Sequence, residues 1–188
     1  MSQKNINYFL AFRLQNPDLV RNLRKVHLHF VTKNESMKNY IDPLDTAHIT
    51  LNVFHADNNQ VDNLKQLIQE ELDKHRDSLN PPEHFEVQGL GMFGQTVMWA
   101  APTGGQDFLH KIHDIFQNLL MEHNFHTKTH SYNPHVTLFQ SRGTKMNIEK
   151  EDLGRVHRFW NIMKYTIRSM VCEASCHPVT QSLSHLVT

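Results

Sequence analysis

The sequence predicts an α+β protein with two pseudo-symmetric lobes, whose two sheets form a central cleft and whose helices pack outside them. The first observation is a repeat: residues 48–51 read His-Ile-Thr-Leu, and residues 135–138, about ninety positions later, read His-Val-Thr-Leu. The second is that a segment of helical periodicity and then a polar loop precede each copy. This order is typical of a fold in which each half donates one motif strand to a shared groove.

The composition is that of one globular domain over residues 1–188, with a weakly structured tail expected from about residue 177. Hydrophobic residues make up 39% of the chain and charged residues 20%, which suffices for a sizeable core. The formal net charge is zero. No overall field therefore attracts nucleic acid or anionic membrane, and a polyanion must bind at a local site.

The two cysteines, Cys172 and Cys176, do not form a disulfide framework. On one strand they would lie roughly 13 Å apart, beyond the reach of a disulfide. The first residues have no apolar stretch of the kind that directs export, and no run of about 18 apolar residues occurs. We therefore expect a monomer in the cytoplasm, or alternatively the nucleus, without a membrane partner.

The first half predicts a buried strand over residues 8–12 and a helix from about residue 18 to residue 30. His27 and His29 fall in the last turns of this helix, where a positive charge suits the helix dipole. Residues 32–45 are polar and predict a loop before the motif strand at residues 47–55. A second amphipathic helix follows. Its apolar face consists of Val61, Leu64, Leu67, Ile68 and Leu72.

The second half begins with a predicted hairpin of strands at residues 85–90 and 96–100, joined by a glycine-rich turn at residues 91–95. Another amphipathic helix leads to the second motif strand. A short helix at residues 148–159 and a strand at residues 165–171 complete the pattern. The core face of the long helix consists of Phe108, Leu109, Ile112, Ile115, Phe116, Leu119 and Leu120.

Each copy of the motif predicts a half-buried strand with one polar face. Pro134 favours an extended conformation for the residue before it, and the β-branched residues of the motif favour a strand. Because alternate side chains of a strand share a face, His135 and Thr137 point one way while the apolar residues around them point into a core. His48 and Thr50 show the same division. Each half therefore presents an imidazole and a hydroxyl side by side.

The repeat is much more specific than a single copy would be. With 15 histidines in 188 residues, bare His-x-Ser/Thr triplets arise by chance about 1.7 times. The fuller pattern of His, aliphatic residue, Thr and Leu has a chance expectation of about 0.02, yet it occurs twice. A single motif is most often structural, whereas the matched pair indicates a functional site.

Two histidines and two threonines suit the cleavage of a phosphodiester. One group must take a proton from the attacking oxygen and another must give one to the leaving oxygen, and histidine titrates near neutral pH. Threonine hydroxyls can stabilise the nonbridging phosphate oxygens. The sequence thus predicts His48 and His135 as catalytic residues and Thr50 and Thr137 as phosphate-binding residues, without a metal or cofactor. It leaves open which histidine is the acid.

Other residues are weaker candidates. Tyr132 and Phe93 are candidate substrate-binding residues that would stack on a base, although aromatic residues near strand ends more often belong to a core. His110 and His113 lie at i, i+3 on a helix, where a solvated helix face is a better interpretation than a metal site.

Two further groups of residues have a functional and a structural interpretation. Cys172, Cys176 and His177 resemble half of a zinc site without its second pair, so structural thiols are the better interpretation. Basic residues near the second motif could steer phosphates, although a solvated loop is the default. These basic residues are Lys128, Arg142 and Lys145.

The paired motifs resemble the 2H phosphoesterase superfamily over nearly the whole chain. The Asn-Tyr-Phe of residues 7–9, the glycine-rich residues 89–94 and the Pro-His-Val-Thr of residues 134–137 are similar to the central domain of the A-kinase anchor proteins. His130 stands where relatives of that branch can carry a basic residue, and no kinase-anchoring tail is identified.

The resemblance implies a bilobal fold with both histidines in a central cleft, and hydrolysis or cyclisation of phosphodiesters at ribose 2′ positions without metal. By this resemblance, His48, Thr50, His135 and Thr137 are the four site positions. The expected function is a phosphodiesterase acting on oligonucleotides, above all on 2′,5′-linked oligoadenylates. The alternatives are a 2′,3′-cyclic nucleotide or RNA-end phosphodiesterase, and a noncatalytic nucleotide- or RNA-binding module that uses the same cleft.

Overall fold

The computed structural model describes residues 6–82, 85–128, 131–148, 153 and 163–165. Within these residues the chain is an α+β protein with an antiparallel sheet and three long helices, as the sequence predicts. The strands are β1 (Tyr8–Arg13), β2 (His48–His55), β3 (Phe85–Phe93), β4 (Val97–Pro102), β5 (His126–Thr127), β6 (Val136–Gln140) and β7 (Met163–Tyr165). The helices are α1 (Pro17–Lys33), α2 (Asn58–His75) and α3 (Gln106–Glu122).

The two predicted sheets are hydrogen-bonded into one. The strand order is β1-β2-β6-β4-β3-β7, and β5 pairs with β2 on the same edge as β6. The two halves meet where Ile49 of β2 pairs with Val136 of β6. Further along β6, Ile41 forms an isolated antiparallel β-bridge with Phe139. The two motif strands are therefore direct neighbours at the centre of the sheet.

Helix α1 begins at Pro17, directly after the N-cap residue Asn16. The side chain of Asn16 accepts hydrogen bonds from the backbone N–H groups of Asp18 and Leu19, which the first turn would otherwise leave unpaired. The buried face of α1 is apolar except for His27, which is 6% exposed. Burial lowers the pKa of His27 because it disfavours the charged imidazole. The predicted role of His27 as a cation at the helix end is therefore wrong.

The other two long helices follow the predicted patterns. At the start of α2, the side-chain oxygen of Gln60 accepts a hydrogen bond from the backbone N–H of Asp57, and the backbone N–H of Gln60 donates to the backbone carbonyl of Asp57. Phe108 and Ile115 of α3 pack against the core from partly buried positions. Five residues of its predicted core face are fully buried, namely Leu109, Ile112, Phe116, Leu119 and Leu120.

The hairpin differs from the prediction in the length of its strands. Gly91, which the sequence places in the turn, lies within β3 and pairs with Trp99 of β4. The indole of Trp99 covers this glycine, so a Cβ at position 91 would come within 2.2 Å of the ring. Glycine is needed at position 91 because the Trp99 ring lies so close to the backbone, and not because the chain turns there. The turn lies further on, at Gly94, which has a φ of +57°.

The predicted loop at residues 32–45 contains two short 3₁₀ helices, Glu35–Tyr40 and Leu44–Thr46. The predicted helix at residues 148–159 is described only at its start and at residue 153, and the predicted strand at residues 165–171 only at Tyr165, which ends β7. The tail from residue 177 and the cysteine cluster lie outside the described residues. No helix in the described part of the chain is long and apolar enough to cross a membrane.

Candidate active site

The register of β2 and β6 brings the two motifs together. Because Ile49 pairs with Val136 in an antiparallel ladder, counting one residue either way places Thr50 opposite His135 and His48 opposite Thr137. Residues that pair across strands share a face of the sheet. On this face each imidazole is therefore opposite the hydroxyl of the other motif, and the two imidazoles are diagonal to each other. The structure thus places His48, Thr50, His135 and Thr137 on neighbouring strands.

Both motifs contain a β-bulge at the leucine that follows the threonine. Along β1 and β2, Ala11 pairs with Thr50 and Leu10 pairs with Asn52, so Leu51 is the extra residue. A register shift at the same motif position occurs between β4 and β6. There, Trp99 pairs with Thr137 and Met98 with Phe139, which leaves Leu138 as the extra residue.

The bulges explain why both motifs carry the same burial pattern. In each copy the histidine and threonine are half-buried, and the aliphatic residue, the leucine and the next residue are all buried. Strict alternation would place the residue after the leucine on the cleft face. The bulge turns it to the other side, so Asn52 and Phe139 point away from the histidines. The sequence pattern gives no sign of this reversal.

Both histidines are held by the same backbone contact. Nδ1 of His48 lies 2.9 Å from the carbonyl oxygen of Thr46, and Nδ1 of His135 lies 2.8 Å from that of Asn133. A carbonyl oxygen only accepts, so Nδ1 carries the proton in each ring. The Nε2 atom of each ring is therefore the one that can exchange a proton with a substrate. A neutral ring can accept a proton at Nε2, and a protonated ring can donate one.

Aromatic rings support the two histidines in different ways. The imidazole of His48 stacks on Phe9 with ring centroids 4.9 Å apart and planes 17° apart. His135 meets Phe93 edge-on at 4.8 Å, and Trp99 lies 6.4 Å from the same ring. Phe93 thus contacts a catalytic candidate directly. Phe9 and Trp99 were not predicted as site residues, because an aromatic residue in a strand usually belongs to the core.

The electrostatic environments of the two histidines also differ. Burial lowers the pKa of His135 and outweighs the hydrogen bond to the Asn133 carbonyl, which raises it, and the nearby His48 also lowers it. On the other side, burial raises the pKa of Asp42, whose carboxyl group interacts with His48. Asp42 comes from the segment between the two 3₁₀ helices, and its backbone N–H donates to the carbonyl of Leu138 at 2.9 Å. A single aspartate in a polar loop gave no sequence signal for this position.

A cavity of about 330 Å³ opens beside the motif strands. Four of the predicted residues line it, namely Thr50, His135, Phe93 and Tyr132, whereas His48 and Thr137 lie outside its lining. Polar residues complete the lining of the cavity, and the sequence did not single out most of them. These are Asn52, His113, Gln117, Lys128, Ser131 and Asn133.

Tyr132 and His113 form one wall of this cavity. Their rings stack with centroids 4.1 Å apart and planes 2° apart, and His110 meets Tyr132 edge-on at 5.1 Å. The His113 side chain is 14% exposed. The predicted interpretation of His113 as part of a solvated helix face is therefore wrong. Among the described residues, no three His, Cys, Asp or Glu side chains lie together where they could hold a metal ion.

Two adjacent strands that each carry His-x-Thr, in the centre of an α+β sheet beside a cleft, define a 2H phosphoesterase. The chain belongs to the family described as the AKAP7 2'5' RNA ligase-like domain, whose model matches residues 6–176. The match supports a phosphodiesterase-type hydrolase. No curated protein sequence matches the chain.

Solved structures share this fold at low sequence identity. The ns2 PDE domain of MHV gives a TM-score of 0.61 at 15% identity, covering 92% of this chain and 99% of that one. E. coli LigT complexed with 3′-AMP gives 0.54 at 15% identity, covering 76% of this chain and 78% of that one. LigT complexed with ATP gives 0.53 at 14% identity, covering 77% and 78%.

Proposed function

We propose that this chain is a metal-independent phosphodiesterase that cleaves RNA-type phosphodiesters at the ribose 2′ position, with 2′,5′-linked oligoadenylate as its substrate. The observation that carries the proposal is the pairing of Ile49 with Val136. It sets each imidazole opposite the threonine hydroxyl of the other motif. A phosphate bound to this face would meet a proton acceptor, a proton donor and two hydroxyl donors.

We assign His135 as the base and His48 as the acid. His135 is the imidazole whose pKa is lowered, and a base must be neutral to accept a proton. His48 is the other imidazole on this face of the two motif strands, so the role of the acid falls to it. Nε2 of His135 takes the proton from the attacking oxygen, and Nε2 of His48 returns one to the leaving oxygen. The hydroxyls of Thr50 and Thr137 bind the nonbridging oxygens.

The cavity supports a nucleotide as the substrate. Its volume of about 330 Å³ is within the range of pockets that bind small organic ligands. The hydroxyl of Tyr132, a residue that lines the cavity, is buried without a partner among the described residues, so the edge of a base bound there can supply one. The family description names 2'5' RNA, and LigT has been crystallised with the adenine nucleotides 3′-AMP and ATP.

The purified protein should cleave 2′,5′-oligoadenylate in the presence of excess EDTA, because both proposed proton-transfer groups are side chains. The measurement compares turnover of 2′,5′-oligoadenylate, its 3′,5′ isomer and a 2′,3′-cyclic nucleotide, each with and without EDTA. We expect chelation to leave the rate within about twofold, since no step passes through a metal.

Each other outcome of this assay has a definite meaning. Turnover of the cyclic nucleotide alone would reassign the substrate and keep the chemistry. Binding of all three without turnover would indicate a noncatalytic module. Activity that disappears in EDTA and returns with Zn²⁺ or Mg²⁺ would contradict the metal-independent mechanism.

The acid limb of the pH–rate profile should lie below about pH 6.5, the ordinary pKa of imidazole. Activity falls when the base becomes protonated, and the pKa of His135 is lowered, so the loss is displaced to lower pH. Phe93→Ala should shift this limb to higher pH, because it uncovers the ring of His135. The measurement is kcat/KM against pH for both proteins. A wild-type limb above pH 6.5, or no shift in the variant, would contradict the assignment of His135 as the base.

A further inference from the structure

Two helix histidines outside the proposed acid–base pair contact the backbone of the motif strands. Nε2 of His27, on α1, lies 2.9 Å from the carbonyl oxygen of Leu138. Nδ1 of His113, on α3, lies 2.8 Å from the carbonyl oxygen of Leu51. Because a carbonyl only accepts, each of these ring nitrogens donates to it and carries the proton. The amide nitrogen of Asn52 also lies 3.2 Å from Nδ1 of His113, and its two hydrogens go to the carbonyl oxygen of His113 and the side-chain oxygen of Gln117. Both leucines directly follow the threonine of their motif, so the two contacts fall at the same motif position. The carbonyl of Leu138 also accepts the backbone N–H of Asp42 at 2.9 Å, so His27 is one of two donors to it.

The two carbonyls belong to the bulged residues. A bulged residue is left unpaired in the ladder beside it, so the adjacent strand alone does not set its orientation. In each motif the bulged leucine is joined by a peptide bond to the threonine that we assign to phosphate binding. That threonine is two positions after the histidine. A rotation of the bulged peptide would therefore turn the threonine and move the histidine.

The two halves of the chain exchange these contacts. Helix α1 precedes β2, yet its His27 bonds to the motif of β6. Helix α3 precedes β6, yet its His113 bonds to the motif of β2. Each helix thus supports the motif of the other half of the chain.

The surroundings of His27 make this contact specific. The ring is 6% exposed, and it meets Phe139 edge-on at 4.9 Å. The other buried residues of α1 are apolar, so an imidazole on this face needs a hydrogen-bond partner, which Leu138 supplies. His27 is not among the residues that line the cavity. Any effect of His27 on the reaction is therefore indirect, through the Leu138 carbonyl and the groups bonded to it.

We propose that His27 and His113 are positioning residues, each of which holds the β-bulge of the opposite half's motif and so orients that motif's histidine and threonine. His113 also stacks on Tyr132 and lines the cavity, so its replacement affects more than the bulge. The decisive variants are therefore made at His27. His27→Leu removes the donor, and His27→Gln keeps an N–H donor at the place of Nε2.

The first test is structural and does not depend on the proposed function. The measurement is the ¹H–¹³C NMR spectrum of the imidazole rings. The signals of His48 and His135 are identified by their loss in the two alanine variants. Each signal reports the position of its ring, because each ring lies against an aromatic neighbour. We expect His27→Leu to shift the His135 signal more than the His48 signal, because the Leu138 carbonyl is connected to His48 only through Asp42. His27→Gln should restore most of the shift. At the other motif, His113→Leu should shift the His48 signal, and His113→Asn, which keeps a donor at the place of Nδ1, should restore it.

The second test is kinetic and does depend on the proposed function. Small misplacements of a catalytic group cost up to about 100-fold in rate. We expect His27→Leu to lower kcat by roughly 10- to 100-fold, with KM within about twofold because the cavity is unchanged. His27→Gln should recover most of this loss. The control is Val26→Ala, which destabilises the same helix from a position that is 3% exposed and keeps the bond to Leu138. It should lower Tm without lowering kcat.

The outcomes separate the two proposals. An inactive wild type with the expected NMR shifts would overturn the proposed function and support the positioning role. An unshifted His135 signal in His27→Leu, or equal effects of the Leu and Gln variants, would overturn the positioning role. A kcat loss in Val26→Ala as large as that in His27→Leu would do the same, because it would attribute the loss to general destabilisation. If His27→Leu does not fold, His27→Met, which also lacks the donor, takes its place.

Discussion

Replacing His48 or His135 by alanine should lower kcat by about 10²- to 10⁴-fold, the usual cost of losing a general acid or base. Both rings are half-buried on the cleft side of the sheet, and the residues that fill the core lie on its other side. The fold should therefore survive each substitution. The measurement is kcat for both variants on 2′,5′-oligoadenylate, together with Tm for each protein.

The matched control is His123→Ala, which removes an exposed imidazole at the end of α3. It should leave kcat and Tm close to those of the wild type. The double variant of His48 and His135 should be little slower than the worse single variant, because groups that act as a unit are not additive. Wild-type turnover in either single variant would rule out the acid–base pair.

Replacing Thr50 or Thr137 by valine should lower kcat/KM by roughly 10- to 100-fold. Each substitution removes one hydrogen-bond donor to a charged phosphate, a contact worth about 1.5–3 kcal/mol. Valine has nearly the same shape, and both positions lie in strands where β-branched residues are favoured. The loss should therefore appear in kinetics and not in Tm.

Serine provides the control at both positions. Thr50→Ser and Thr137→Ser keep the hydroxyl and remove only a methyl group, so they should stay within a few-fold of the wild-type kcat/KM. The measurement is kcat/KM and Tm for all four variants. Equal losses in the serine and valine variants would show that the methyl group matters and would contradict a role in phosphate binding.

The strand and helix positions could be predicted because they depend on local patterns. The apolar spacing of α2 and α3 and the alternation around His48 and His135 are properties of neighbouring residues, and the structure shows these elements in place. The repeat of the motif also indicated that the two strands act together. Sequence alone could not show that Ile49 and Val136 are the pair that joins them, because register depends on contacts between distant segments.

The contributions of Gly91 and Asp42 depended on the tertiary structure. A glycine in a glycine-rich stretch predicts a turn, whereas Gly91 makes room for an indole from the neighbouring strand. An aspartate in a polar loop has no periodicity that marks it. Its proximity to His48 arises because the loop is held against β6 by the backbone of Asp42 itself.

By itself, the sequence determined the class of fold, the two motif strands and the four polar residues on their cleft faces, because side-chain alternation and hydrophobic periodicity are local. The tertiary structure alone decided the bulges at Leu51 and Leu138 and the contacts that His27 and His113 make with them. A bulge is an irregularity between two strands, and the sequence of one strand does not encode it. A histidine on a helix looks solvated until the helix is packed, and only packing shows which carbonyl it meets.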